Sequence, residues 1–443
     1  MLTVDELRGQ VDGGAIDTVV VAFTDMQGRL MGKRLQAGFF VDEALEHGIE
    51  GCNYLLALEM EMDPVPGYEI ASWDRGYGDF RLAPDLATLR RIPWLEGTAL
   101  VLADVLWHDG SPVGPSPRQV LARQVERARA LGFEPMFGSE LEFFLFKESY
   151  AEAHAKHYRD LTPSVPYTLD YHVLATTYDE PLIRQIRNGM QAAGIQVESS
   201  KGEAWAGQHE INFRNAPALE MADNHVVYKN GAKEIAHLNG CSLTFMAKPD
   251  HEWVGSSCHV HGSLWRDGEN AFAGKSETFR QFLAGWIAGA RELAVFLAPN
   301  VNSYKRYAAG SWAPTTLAWG YDNRTCGFRV VGHGGGARVE TRIPGADVNP
   351  YLAFAALLAA GLHGIEAGLE PPVVFEGNAY ESDVERFPSS LREAIAELEG
   401  GTVARAAFGD EVVDHYLNYA RTEQRLFDQV VTGYERERLF ERG

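Results

Sequence analysis

The chain is poor in cysteine and short of positive charge. Cys52, Cys241, Cys258 and Cys326 are its only 4 cysteines and form no Cys-x-x-Cys pair. Neither a disulfide framework nor a paired-thiolate zinc site is encoded, and reduced thiols in a cytoplasmic protein are expected. Lys and Arg number 40 against 61 Asp and Glu, a net charge of -21 with no basic stripe, which argues against nucleic acid as a partner. Long apolar runs are missing too. The longest, at 351–362, is mostly Ala and Leu, falls short of the ~20 residues that span a bilayer, and reads as a buried core helix. The start, Met1-Leu2-Thr3-Val4-Asp5, has no basic segment leading into an apolar one, so neither a signal peptide nor a membrane partner is expected.

What the chain does have is size and a core: 443 residues, 45% of them hydrophobic. That length favours one large domain plus a smaller one. A strand at Thr18–Phe23 opens a small β-rich unit that runs through Ala99–Asp104, and the turn-rich link from Trp107 to Pro115 marks a boundary. The expected domains are 1–108 and 109–443. Beyond the link, Ser116-Pro117 opens a helix as N-cap and first helical residue. Helices are expected near 179–193, 221–238, 277–297, 349–367 and 413–432, with strands at 136–146, 209–213, 242–247, 257–265 and 337–343. Strict βαβ alternation is absent, so the fold class is α+β.

Three stretches place charge on every second residue: Glu140-Leu141-Glu142, His259-Val260-His261, and Arg338-Val339-Glu340-Thr341-Arg342. On a strand, residues i and i+2 share a face, so each stretch collects its ionisable groups on one side of a sheet. Packed like charges repel, and burying them is costly without a counter-ion or ligand. Glu203 and Glu210 flank a turn at Gly207 that can face both acids inward. Carboxylates with imidazole suit Mg²⁺ or Mn²⁺ better than zinc. Arg306, Arg324, Arg329, Arg338 and Arg342 supply the opposite charge, since guanidinium forks grip phosphate and carboxylate. Gly274-Lys275-Ser276 imitates a P-loop, but Gly268 stands one position too far upstream and a β-hairpin is the simpler account.

Taken in order, these motifs resemble the type I glutamine synthetase family over nearly the whole chain. Those carrying the likeness are Phe137–Phe144, Glu203 with Gly207-Gln208-His209-Glu210, and Phe245–Pro249 with Cys258–His261. Asn302–Arg306, Asn323-Arg324, and Arg338–Arg342 with Asn349-Pro350-Tyr351 complete the set. The resemblance implies a small N-terminal β-grasp domain and a large catalytic domain whose curved antiparallel sheet is flanked by helices. It implies two or more Mg²⁺ or Mn²⁺ ions, with Glu142, Glu203 and Glu210 holding one beside the glutamate γ-carboxylate. Glu140, His259 and Glu340 would hold another on the ATP phosphates. Glutamate would be gripped by Arg306, Arg342 and the backbone at Gly255, and ATP by Glu198, His261, Ser263 and Arg338. Arg324 and Arg329 would meet the moving phosphate. The implied reaction is phosphorylation of the glutamate γ-carboxylate, followed by attack of an amine on the acyl phosphate. A cytoplasmic homo-dodecamer with active sites shared between subunits is also implied.

The departures from the family pattern concern the amine. Where ammonia-using members carry Gly-Tyr-Glu-Ala-Pro, this chain reads Gly310-Ser311-Trp312-Ala313-Pro314, and the aspartate of Phe-Asp-Gly-Ser-Ser is missing from Ile49-Glu50-Gly51-Cys52-Asn53. Losing acids that attract a small cation, and gaining an indole, favours an amine with a carbon stem. The likeness is to γ-glutamylamide ligases, with ethanolamine first and a polyamine or another short amine next, and Trp312 and Glu50 at the amine site. The alternatives are an ordinary glutamine synthetase using ammonium, and an inactive homologue with a structural or regulatory role.

Overall fold

A computed structural model describes residues 1–443. Its first sheet joins β1 (Thr18–Thr24), β2 (Leu30–Gln36), β3 (Ile49–Cys52), β4 (Asp79–Pro84), β5 (Arg90–Arg91) and β6 (Thr98–Leu106) in the order β2-β1-β6-β4-β3, with β5 on β6. β1 and β6 run parallel, Thr18 opposite Thr98; the other pairs are antiparallel. The β-branched run Val19-Val20-Val21 suits this position, because β-branched side chains pack well on a pleated surface.

The second sheet is built on β7 (Glu134–Phe146), the 13-residue strand at its centre. It adds β8 (Val197–Gly202), β9 (Gln208–Phe213), β10 (Ala216–Pro217), β11 (Ser242–Thr244), β12 (Cys258–Arg266), β13 (Glu269–Asn270), β14 (Trp319–Tyr321), β15 (Phe328–Val331) and β16 (Arg338–Thr341). The path is β14-β15-β16-β12-β7-β9-β8. All its pairs are antiparallel except the short edge pair of β14 with β15, so the antiparallel sheet that was expected is present.

Helices Pro117–Ala130, Glu180–Ala192, Ala218–Leu238, Glu277–Gly289, Pro350–Glu366 and Asp410–Asp428 complete the larger unit. Pro350–Glu366 is the expected apolar helix, buried along nearly its whole length. Gly285 of helix Glu277–Gly289 lets the two meet backbone to backbone: a Cβ there would lie 2.0 Å from the Ala360 carbonyl oxygen. A helix was expected unbroken over 277–297. It stops at Gly289 and resumes as Ala294–Leu297, and the turn between them lets Arg291 reach Glu393 at 2.9 Å and Glu397. Ser116 stands at the N-cap, but its side chain makes no capping bond. The strand expected at 242–247 ends at Thr244, whose hydroxyl accepts from the Met246 amide at 3.2 Å and so turns the chain.

Polar ties join the two units. Buried Arg118 donates to Asp85 and Asp104, each at 2.6 Å, and to Asp223 at 3.0 Å. The Asn349 side chain donates to the Asp25 and Met26 carbonyls at 3.1 and 3.2 Å. Removing one partner from such a buried network leaves an uncompensated charge, so the ties are structural. No helix is long and apolar enough to cross a membrane.

Candidate active site

Strand register assembles the site. β7 lies between β12 and β9, which sets Glu140 opposite His259 on one side and Asn212 on the other, and Glu142 opposite Glu210. β12 in turn sets His261 opposite Glu340 of β16, and β15 sets Arg329 opposite Glu340. The alternating charges of separate sequence segments thus fall on neighbouring rungs of one sheet. Ligand atoms of Glu140, His259 and Glu340 lie within 4.8 Å of one another, and so do those of Glu142, Glu210 and His259.

The acids differ in how their charge is met. Burial works against ionisation of Glu140, but the imidazoles of His259 (Nδ1 to Oε2, 3.2 Å) and His261 (Nε2 to Oε1, 3.0 Å) hold it well below the usual carboxylate range. Glu340 is fully buried, yet the charges around it, Arg342 among them, bring it down to about 2. Arg342 Nη1 lies 2.6 Å from its Oε1, and Arg329 Nη1 lies 2.9 Å from its Oε2. Glu142, Glu203 and Glu210 behave in the opposite way. Burial, reinforced by the charge of Glu203, pushes Glu142 up to about 7 although the Ser257 hydroxyl (2.5 Å) and amide (2.8 Å) donate to it. Burial and Glu210 raise Glu203 to about 7, while burial, Glu140 and Glu142 raise Glu210 to about 8. Burial and Arg342 lower His259 to about 4, so it is neutral and free to offer a lone pair.

Uncompensated buried acid beside neutral imidazole is the donor set of a divalent cation, and the residues present fit one. Glu203 stands outside the group formed by Glu142, Glu210 and His259, because its carboxylate is turned to Lys201 in a close ion pair.

Two cavities meet on this surface. One, about 640 Å³, reaches Glu142, Gly255, Arg306, Arg342, Arg324 and Arg329, together with Trp312. The other, about 830 Å³, is lined by Glu198, His261, Ser263 and Arg338. Glu140 and Asn212 line both, so a ligand in one cavity abuts a ligand in the other at the carboxylate surface. Arg338 Nε donates to His261 Nδ1 at 3.2 Å, which leaves the proton of that ring on Nε2, facing Glu140. Arg306 is 2% exposed and donates to the Ile343 and Arg342 carbonyls at 2.7 and 2.8 Å. It passes so close over Gly255 that a Cβ there would sit 2.2 Å from its Cγ. Arg342 Nε is buried without a partner. Arg324 is exposed at the rim and unpaired.

Trp312 is 61% exposed and holds a φ of 63°, a left-handed backbone that is costly for a bulky residue and tends to persist at functional sites. Glu50 is not brought here: it lies exposed on β3 opposite Arg81, away from the residues that line the cleft. The sequence reading passed over Asp170, Tyr171 and Lys201, which also line it. Lys201 was findable, since it precedes Glu203 by the same two-residue step that marked the other pairs. Asp170 and Tyr171 sit on a loop with no periodic signal.

Residues 115–439 match the family model described as glutamine synthetase, catalytic domain. Among curated relatives, gamma-glutamylethanolamide synthetase GlnA4 of Streptomyces coelicolor is 57% identical over 100% of this chain and 96% of its own length. Glutamate–isopropylamine ligase of a Pseudomonas species is 39% identical over 97% of this chain and 96% of its own. A solved GmaS/ADP complex superposes with a TM-score of 0.85 at 29% identity, covering 98% of this chain and 99% of that one. The architecture it shares is a small N-terminal β unit followed by a catalytic domain on a curved sheet.

Proposed function

The chain belongs to the glutamine synthetase family and is an ATP-dependent glutamate–amine ligase; we propose that ethanolamine, or a short amine of the same kind, is its acceptor and that the product is a γ-glutamylamide. The observation that carries this reading is the meeting of two cavities at Glu140, one lined by guanidinium groups and one by the His261–Arg338 pair, with Trp312 at the open side of the first.

Divalent metal ions and ATP are the family's common requirement. Glu142, Glu203 and Glu210 would hold one ion and Glu140, His259 and Glu340 another; bound there, they neutralise phosphate charge and polarise the carboxylate to be phosphorylated. The chain's own residues do the rest. Glu198, His261, Ser263 and Arg338 bind the nucleotide in the larger cavity. Arg306, Arg342 and the backbone at Gly255 hold glutamate with its γ-carboxylate toward Glu142. Arg324 and Arg329 balance the charge of the phosphoryl group as it passes to that carboxylate, forming γ-glutamyl phosphate. The amine, once its ammonium group has given a proton to solvent, attacks the γ-carbon; the C–N bond forms as the C–O bond to phosphate breaks, and phosphate leaves as the nitrogen loses its second proton to it or to solvent.

Trp312 supports the choice of acceptor: an exposed indole at the cleft gives a carbon stem apolar surface and an ammonium group a π face. The names of the two relatives, one an ethanolamide synthetase and one an isopropylamine ligase, point the same way. Glu50, remote from the cleft of its own chain, fits a shared site in which the N-terminal domain (1–108) of one subunit faces the catalytic domain (109–443) of the next in a cytoplasmic homo-dodecamer. Incubation with glutamate, ATP, Mg²⁺ and a panel of amines tests the reading. Phosphate release is expected with ethanolamine well above that with ammonium. Ammonium equal to or better than every organic amine would overturn the choice of acceptor.

A further inference from the structure

The acceptor reading leaves open what holds the amine's positive charge, since Trp312 offers only a π face and Glu50 is elsewhere. The carboxylates lining the cleft can be taken in turn. Glu140 is tied to His259 and His261, Glu142 to Ser257, and Glu203 to Lys201, while Glu210 is 3% exposed and lies deep against Glu142. Asp170 remains. It is exposed, it lines the cleft, and its side chain has neither a hydrogen bond nor an ion pair.

Its place is fixed by backbone. The Asp170 amide donates to the Glu203 carbonyl at 2.9 Å and the Tyr171 amide to the Gly202 carbonyl at 3.3 Å, which pins this loop to the end of β8. Tyr171, like Trp312, is an exposed aromatic at positive φ (57°) lining the same cleft. The corner already holds one primary alkylammonium group of the chain's own: Lys201 Nζ sits 4.5 Å from the Tyr171 ring centroid and pairs with Glu203. Glu203 is claimed by Lys201 here and by the proposed metal set when an ion is bound, which leaves Asp170 as the free anion of the corner.

We propose that Asp170 is the ion-pair partner of the acceptor's ammonium group, a specificity-determining residue that selects cationic primary alkylamines entering beside Tyr171. The assignment rests on the ligase reading above.

Two nucleophiles separate the possibilities: ethanolamine, a cation at neutral pH, and hydroxylamine, which is uncharged there and traps γ-glutamyl phosphate as a hydroxamate. In the full-length protein Asp170→Asn is expected to raise KM for ethanolamine about tenfold or more, with kcat largely kept and the hydroxylamine KM within about twofold of wild type. Asp170→Glu should recover most of the ethanolamine affinity. An unchanged ethanolamine KM in Asp170→Asn, or equal losses with both nucleophiles, would overturn the assignment, as would a selective ethanolamine loss in Glu50→Gln with Asp170→Asn behaving as wild type. If wild-type protein forms neither hydroxamate nor amide, it is the ligase reading that fails.

Discussion

Arg342 holds Glu340 through Nη1 at 2.6 Å while its own Nε, equally buried, has no partner. One guanidinium thus fixes a carboxylate of the proposed metal set while keeping a buried donor unused in a residue that lines the cleft. A buried donor without an acceptor is costly, and a bound carboxylate would relieve that cost.

Glu340→Ala removes a proposed metal ligand and strands Arg342, while Arg329 keeps only its pair with Asp322. Phosphate release is expected to fall by roughly 10²-fold or more, with some loss of stability. Glu340→Gln keeps the shape and an acceptor oxygen but not the charge, so its melting temperature should stay nearer wild type while turnover is still lost. Near-normal turnover in both variants would sink the metal assignment.

Glu340 also marks the limit of what sequence could give. The same-face pairs Glu140/Glu142 and His259/His261 were legible because a strand's period is two, and the family likeness put Glu203 and Glu210 beside them. That Glu340 is gripped from β15 by Arg329 depends on a partner whose strand is set by register, whereas the turn of Glu203 to Lys201 is a local pair that the two-residue period could have shown. Asp170 and Tyr171 escape any pattern because their positions come from two backbone hydrogen bonds of a loop. The helix expected over 277–297 broke for a similar reason: Arg291 finds Glu393 and Glu397 about a hundred residues later, which local propensity does not encode.

The acids of the candidate metal site give a pH dependence whose sign follows from burial. Glu142, Glu203 and Glu210 are raised to about 7, 7 and 8 from an ordinary 4.5, so the metal-free fold favours their protonated forms. Their contribution to stability is complete below pH 4.5 and is lost as pH rises through 7 to 8. Glu340, lowered to about 2, acts oppositely, but its effect is confined to acid pH and does not vary across this window. Metal-free protein is therefore expected to melt lower at pH 8 than at pH 6, and Mg²⁺ should raise the melting temperature more at pH 8. Calorimetric titration near neutral pH in buffers of different ionisation enthalpy should detect proton release on Mg²⁺ binding. A Mg²⁺ effect independent of pH would contradict the picture of proton-loaded ligands.

Gly255 permits the path of Arg306. In Gly255→Ala the new Cβ would meet Arg306 Cγ at 2.2 Å and the Ala247 carbonyl oxygen at 2.8 Å, while Arg306 is tethered to the Ile343 and Arg342 carbonyls and cannot swing clear. Overpacking of this kind costs about 1–3 kcal/mol. The variant is expected to be less stable by that amount in urea unfolding and to show a raised KM for glutamate with KM for ATP little changed, since the nucleotide cavity lies on the other side of Glu140. An unaltered glutamate KM would remove Arg306 from the substrate clamp.

The most discriminating substitution is Trp312→Glu. It restores an acid where ammonia-using relatives of the family carry one and deletes the apolar face that favours a carbon stem. Trp312 is 61% exposed, so the change buries no charge and should leave the fold intact. Two effects should then act together: the carboxylate attracts a small cation, and the lost indole contact weakens a longer one. Loss of a cation–π contact alone is worth about 0.5–2 kcal/mol, about twofold to thirtyfold in affinity. The ratio of kcat/KM for ammonium over ethanolamine is expected to rise by at least about tenfold, through changes in KM for the amines with glutamate and ATP kinetics held. Trp312→Phe, which keeps an aromatic face, should move the ratio much less. If Trp312→Glu leaves the amine preference where it was, selectivity resides at the Asp170–Tyr171 corner and the indole is only a lid over it.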